Sequence, residues 1–320
     1  MTKLLDVKHL KKYYPVKSNI VRRVIGYYKA VDDISFYINE GETFGLVGES
    51  GCGKTTVGKS IIRLIEPTDG EILFKGENIR NYNEKELQKC RRNMQIIFQD
   101  PYGSLNPRMS IRDIIGEPLK KHRIAAGADC TRRVEELLSV VGISKKEIDK
   151  YPHEFSGGQR QRICIARALG LNPKLIVCDE PVSALDVSVQ AQILNLLHDL
   201  QTEYKLSYLF IAHGMPAVRH ISHRVAVMYL GKIVEIGERD TIFDSCLHPY
   251  TKALMSAIPV ADPDMKTQFI PLEGEVPDLM DPPANCLFCS RCPYADDHCR
   301  TNIPELREIS PHHYVACHHV

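Results

Sequence analysis

The chain has 320 residues, 43% of them hydrophobic and 25% charged, which gives room for one large α/β domain with an appendage or for two modest domains. Lys and Arg number 41 against 40 Asp and Glu, and the resulting net charge of +1 sets up no global field that points to nucleic acid. The longest uncharged apolar runs, at 175–178 and 225–230, are far too short to cross a bilayer, and residues 1–12 are charged throughout with no signal-peptide core. If such a chain works at a membrane, it does so by docking onto a partner.

In chain order, strand-like runs at 34–38 and 43–47 flank the turn Asn39-Glu40-Gly41. The second run enters a glycine-rich loop, then a helical pattern through Val57, Ile61, Ile62 and Leu64. Further strands are expected at 71–74, 94–98, 174–178, 207–211, 224–230 and 232–236, with helices at 132–141, 158–169, 187–203 and 215–221. Strands alternating with helices predict an α/β fold with a largely parallel sheet. A helical, loop-rich stretch reads as a subdomain inserted at about 100–162. From residue 258 the prolines crowd (Pro259, Pro263, Pro271, Pro277, Pro282, Pro283) and periodicity vanishes. The expected organisation is therefore a main domain over 1–257 and a Pro-rich linker with a compact cysteine-held tail over 258–320.

The loop Gly48-Glu49-Ser50-Gly51-Cys52-Gly53-Lys54-Thr55, followed by Thr56, fits G-x-x-x-x-G-K-[ST] between a strand and a helix. Its glycines let amides converge on phosphate oxygens, Lys54 supplies charge to the β- and γ-phosphates, and the Thr55 hydroxyl suits Mg²⁺. Such a loop implies a nucleoside triphosphate and nothing narrower. The apolar run 175–178 ends in Asp179 and Glu180, placed to hold the Mg²⁺ shell and to polarise a water. The plain alternative is a buried strand with acids at its exposed end.

Upstream, Phe155-Ser156-Gly157-Gly158-Gln159 opens a helix. This stretch resembles the signature motif of ABC ATPases, with Phe155 where Leu is usual. A helix cap at Ser156 is compatible with that role. Other elements of the resemblance follow. Gln99 matches the Q-loop, which in the family touches Mg²⁺ or the lytic water. Ser183-Ala184-Leu185-Asp186 matches the D-loop, and His213 the switch histidine, with Gly214 where Asp is usual. Tyr14 stands where an aromatic stacks on adenine, with Tyr13 as the competing choice and Tyr27 and Tyr28 more remote. The resemblance implies a P-loop NTPase (RecA-like) core carrying catalytic Glu180, His213 and Gln99, with Mg²⁺ held by Thr55, Gln99 and Asp179. It also implies that Ser156, Gly157, Gly158 and Gln159 close over the ATP bound by a second ATPase subunit.

The stretches 101–108, 248–254 and 292–295, with the ending Val315-Ala316-Cys317-His318, are similar to ATPase subunits of bacterial dipeptide/oligopeptide importers, most of all the second (F-type) subunit. That resemblance implies ATP hydrolysis driving peptide uptake, two transmembrane permease subunits, an extracytoplasmic binding protein, and a peripheral place on the cytoplasmic face of the cell membrane. Related importers carry nickel or other small solutes. A nucleic-acid-directed ABC ATPase usually has two cassettes or a coiled-coil insertion, and this chain has neither. A catalytically silent partner conflicts with intact Lys54, Gln99, Asp179, Glu180 and His213.

Of eleven cysteines, six are scattered singly (Cys52, Cys90, Cys130, Cys164, Cys178, Cys246) and five lie in the last 35 residues. In a reducing compartment such a cluster more often binds metal than forms disulfides. The run Cys286-x2-Cys289-x2-Cys292 echoes a ferredoxin run, but the next cysteine follows after six residues. The family resemblance implies a [4Fe–4S] cluster on Cys286, Cys292, Cys299 and Cys317, with Cys289 as an alternative ligand. Zinc on four thiolates is the rival, and a knob packed with reduced thiols is the third reading.

Overall fold

The computed structural model describes residues 2–18, 23–258, 270–272, 274, 277, 279–280 and 282–320. Pro259 and Pro263 of the expected linker lie outside the described residues. The chain divides into two compact units, one of Met1–Lys3, Ile38–Glu42 and Asn81–Ile211, the other of Leu4–Tyr37, Thr43–Arg80 and Ala212–Val320.

In the first unit, strands Met94–Ile97, Leu175–Asp179 and Ser207–Ala212 pair in parallel, Met94 opposite Leu175 and Leu175 opposite Ser207. The last two of these strands are buried along their whole length, the mark of a parallel strand covered on both faces. Helices Ile111–Lys121, Gly127–Val140 and Gly157–Leu169 form the helical part, each turning an apolar face to the unit's interior (Ile114, Ile115 and Leu119; Val134, Leu137 and Leu138; Ile163, Ile165 and Leu169). Ser110 caps the first of them by accepting from the Asp113 amide. The sequence pattern began the second helix at 132 and did not resolve the first, whose interior Pro118 breaks the usual signal.

In the second unit, Thr43–Val47 runs parallel to Arg224–Tyr229, which turns back antiparallel onto Lys232–Glu238. The outer edge of Lys232–Glu238 is taken by His313–Val315 from the tail, Glu235 opposite Val315, and Arg307–Ser310 completes that side. A separate antiparallel sheet holds Val24–Asn39, Lys3–Lys17, Asp69–Phe74 and Glu77–Asn78 in that order. The two long strands of this sheet are amphipathic: Leu5, Val7 and Leu10 are buried while Lys3, Lys8 and His9 are exposed. Among the described residues no helix is long and apolar enough to cross a membrane.

The tail does not fold as a separate knob. Its Ala316 amide donates to Val234 O at 2.8 Å, and His313 Nε2 meets Glu235 Oε1 at 2.8 Å with both side chains buried. Glu235 also accepts from the Leu247 and His248 amides at 2.7 and 3.1 Å. Phe288 inserts edge-on against Tyr229, ring centroids 5.3 Å apart, and packs on Tyr250 at 5.5 Å. The small apolar core that a tail this short lacks is borrowed from the strand it pairs with.

Candidate nucleotide site

The phosphate loop follows the buried strand Thr43–Val47 and ends in helix Lys54–Ile61, capped by Gly53. Two of its glycines are dictated by contact as well as by backbone. Gly48 has φ 153°, and a Cβ there would lie 2.1 Å from Met228 O; Gly53 has φ 106°, and a Cβ would lie 2.0 Å from Ala30 O. The loop is thus pressed against neighbouring backbone, and it leads straight into the N-terminus of that helix, the end that favours an anion.

Lys54 is 4% exposed, and its ammonium donates to Gly48 O at 2.7 Å and Glu49 O at 2.9 Å. The imidazole Nδ1 of His213 lies 3.5 Å from the same ammonium, so two residues 159 apart in sequence meet at one charge. Cys52 is buried beside them, and burial pushes its thiol up, marking an inert packing residue. Gly214, where the family has Asp, opens helix Met215–Ile221 without a side-chain cap; a Cβ at that position would meet only Pro216 Cδ at 3.9 Å. Ser50 and Gly51 complete the loop, with Gly51 at φ 80°. Tyr13 gives its hydroxyl to Asp32, whereas Tyr14 lies under the Lys12 ammonium, 4.8 Å from the ring centroid. The phenol of Tyr13 is therefore occupied within its own sheet.

In the other unit, Asp179 ends its strand and Glu180 follows in the left-handed region at φ 51°, with both carboxylates about as buried as Lys54 (3% and 4% exposed). A non-glycine residue in that region is uncommon and marks a position over-determined by its surroundings. The surroundings are named: the Glu180 amide donates to Ile211 O at 2.9 Å, Ser183 Oγ donates to Glu180 O at 3.1 Å, and the Gln99 amide nitrogen donates to Glu180 Oε2 at 2.7 Å. Gln99 and Glu180 are brought together across 81 residues.

Ser156 and Gln159 form a reciprocal capping box, with the Gln159 amide on Ser156 Oγ at 3.3 Å and the Ser156 amide on Gln159 Oε1 at 3.0 Å. Gly158 has a packing reason, since a Cβ there would strike Val189 Cγ1 at 2.4 Å; at Gly157 it would meet Leu185 Cδ2 at 3.4 Å. Asp186 caps helix Val187–Tyr204 by accepting from the Val189 amide at 3.0 Å and from the Ser188 hydroxyl at 2.6 Å, and the latter bond holds its carboxyl below the usual range.

Sequence reasoning assigned no role to Tyr250, whose hydroxyl accepts from the Glu49 amide at 2.8 Å. Nor did it find the Met228 and Ala30 carbonyls that shape the loop. These contacts are long-range, and no local motif announces them.

All eleven cysteines are free thiols. In the tail, Cys286 is near enough to Cys299, Cys289 and Cys292 to sense their charge, as Cys292 senses Cys317, Cys299 and Cys289. Burial above all, and then these neighbours, push the Cys286 thiol up to about 11. Among the described residues, the only three candidate ligand atoms within 4.8 Å of one another belong to Asp296, Cys299 and His319. Four thiolates on one zinc would lie about 3.8 Å apart, given Zn–S bonds of about 2.3 Å. Among the described residues no three tail thiols lie within 4.8 Å of one another.

A strand–loop–helix phosphate cradle, a strand ending in paired carboxylates and a Ser-Gly-Gly helix start together define an ABC transporter ATPase. The family model for the ABC transporter matches residues 31–183, and that for the oligopeptide/dipeptide transporter C-terminal region matches 234–299. The chain is 52% identical over 318 residues to the oligopeptide transport ATP-binding protein AppF of Bacillus subtilis (strain 168), covering 98% of this chain and 97% of that one. It is 49% identical over 315 residues to a probable peptide ABC transporter ATP-binding protein of Sinorhizobium fredii, covering 98% and 89%. Among solved structures it is similar to a dimeric ATP-binding cassette in a post-hydrolysis state bound to ADP and Pi, with TM-score 0.65 and 27% identity over 73% of this chain and 98% of that one. The chain belongs to the family of oligopeptide transport ATP-binding proteins.

Proposed function

We propose that this chain is the ATP-hydrolysing subunit, of the second (F-type) kind, in an importer of di- and oligopeptides. The observation that carries the reading is Glu180, buried, held in left-handed backbone and bonded to Gln99, beside Asp179 at a strand end. A carboxylate so fixed is suited to take the proton of a water attacking the γ-phosphate. Lys54 and the amides of residues 48–56 hold the phosphates, Tyr14 stacks on adenine, and Thr55, Gln99 and Asp179 hold Mg²⁺. His213, already beside Lys54, contacts the γ-phosphate. Ser156, Gly157, Gly158 and Gln159 act on the ATP of a partner ATPase subunit, and Ser183 and Asp186 couple the two sites. In this scheme residues 1–257 form the nucleotide-binding domain, with the helical subdomain at about 100–162, and 258–320 the extension. The pair sits peripherally on two permease subunits at the cytoplasmic face, and an extracytoplasmic binding protein delivers the peptide.

The chain reconstituted with those permease subunits and the binding protein in proteoliposomes is expected to accumulate a labelled oligopeptide only with ATP. Uptake of nickel without peptide would overturn the substrate class, and hydrolysis with neither would overturn transport.

For the tail, a [4Fe–4S] cluster on Cys286, Cys292, Cys299 and Cys317, with Cys289 as the alternative, is supported by five cysteines within the last 35 residues, none of them in a disulfide. Bound, it would staple a segment of little core of its own. Anaerobically purified protein is expected to show a broad brown absorbance and about four irons per chain; colourless protein with one zinc would replace the cluster with a zinc site.

A further inference from the structure

We propose that Arg291 is a positioning residue for the phosphate loop, acting through Glu49; the inference rests on reading residues 48–55 as the nucleotide site. All three polar groups of Glu49 have a fixed partner. Its amide donates to the Tyr250 hydroxyl at 2.8 Å, its carbonyl accepts from Lys54 at 2.9 Å, and its carboxylate accepts both prongs of the Arg291 guanidinium at 2.9 and 3.1 Å. A forked Arg–carboxylate pair fixes orientation as well as distance. Arg291 itself is held: its side chain is 7% exposed, Nη1 lies 3.4 Å from the Tyr229 hydroxyl, and the guanidinium faces the Tyr229 ring at 5.9 Å.

The turn that presents Arg291 is set by Phe288, which packs on Tyr229 and Tyr250, and by the Arg291 amide donating to Phe288 O at 3.0 Å. This turn also carries Cys289 and Cys292, so a short piece of the thiol-rich tail reaches the phosphate loop.

Two consequences follow from removing the guanidinium, and both weaken nucleotide binding. Glu49 becomes an uncompensated anion within a loop built to receive polyphosphate, since its only forked partner is gone. The Glu49 carbonyl, one of two that hold the Lys54 ammonium, also loses its fixed position. A pair that merely tied down the tail would behave differently. Deleting either partner would then cut the same tie, and deleting the second could restore nothing.

The test is a titration of the full chain with a fluorescent ribose-labelled ATP, with thermal unfolding to confirm the fold of each variant. Arg291→Met is expected to raise the Kd for ATP roughly tenfold, on the scale of one charge-assisted hydrogen bond. Adding Glu49→Gln to it is expected to recover the part of that loss that comes from the uncompensated anion. Arg291→Lys, which keeps the charge but not the fork, is expected to fall between wild type and Arg291→Met, and it carries the test if Arg291→Met does not fold. Wild-type Kd in the Arg291 variants, or no recovery with Glu49→Gln, overturns the proposal. Lys54→Ala separates the two failures: if it binds ATP as wild type does, the nucleotide site itself has been misplaced. If it loses binding while the Arg291 variants do not, only the role of Arg291 falls.

Discussion

In the phosphate loop the motif residues lie within eight consecutive positions, and its glycines are dictated by neighbouring backbone, the Met228 and Ala30 carbonyls. In the cysteine-rich tail, placement comes from partners scattered over 70 or more positions: Glu235 for His313, Val234 for Ala316, and Glu49 for Arg291. A loop of the first kind is announced by a local pattern, because glycine is the only residue whose backbone and bulk both fit. A tail of the second kind is announced only by its cysteines. Its attachment depends on strand pairing and buried polar groups that no spacing rule predicts.

The attachment of the tail rests on a buried acid. Glu235 is fully buried and serves two amides and one imidazole, so Glu235→Ala takes a partner from two buried polar groups and one part-buried amide. A loss of about 3 kcal/mol or more in denaturant unfolding is expected, with proteolysis beginning in the tail. Unchanged stability would mean that strand pairing alone holds the tail.

A smaller effect should come from pH. His248 caps helix Pro249–Ser256 by accepting the Tyr250 amide at 3.1 Å and gives its other ring nitrogen to Ala316, again joining core to tail. Burial lowers its pKa to about 4. Below the unfolded value of about 6.5 the unfolded chain takes up a proton that the folded chain refuses. Stability is therefore complete above about pH 6.5, falls as pH drops toward 4, and levels off below it, by up to about 3 kcal/mol. His248→Asn keeps a capping side chain but does not titrate in this range, so its unfolding free energy should vary less between pH 4 and 6.5. An unaltered slope would assign the pH dependence to other groups.

The same contrast explains what was legible in the sequence. Strand Thr43–Val47 and helix Met215–Ile221 were read to the residue, because apolar runs bounded by glycine or proline leave little choice. The strand Lys3–Lys17 was not found, since one face of its antiparallel sheet is solvated and lysines interrupt the apolar alternation. Helix Glu84–Arg91 was missed because only Leu87 and Cys90 of its eight residues are buried. Within the site, Gln99, Glu180, Lys54 and His213 were each named from motifs. That Gln99 reaches Glu180, and that His213 reaches Lys54, required the fold. The fork from Arg291 had no signal at all, as an arginine between cysteines reads as an ordinary charge.

Glu180 is the proposed base of the ATP-hydrolysing site. The most direct measurement is ATP turnover by Glu180→Gln in the assembled transporter, with nucleotide binding measured on the same preparation. A fall in turnover of about a hundredfold to ten-thousandfold, with ATP still bound and the ATPase pair trapped closed, is the predicted result. Turnover at the wild-type rate would contradict it and remove Glu180 from the chemistry.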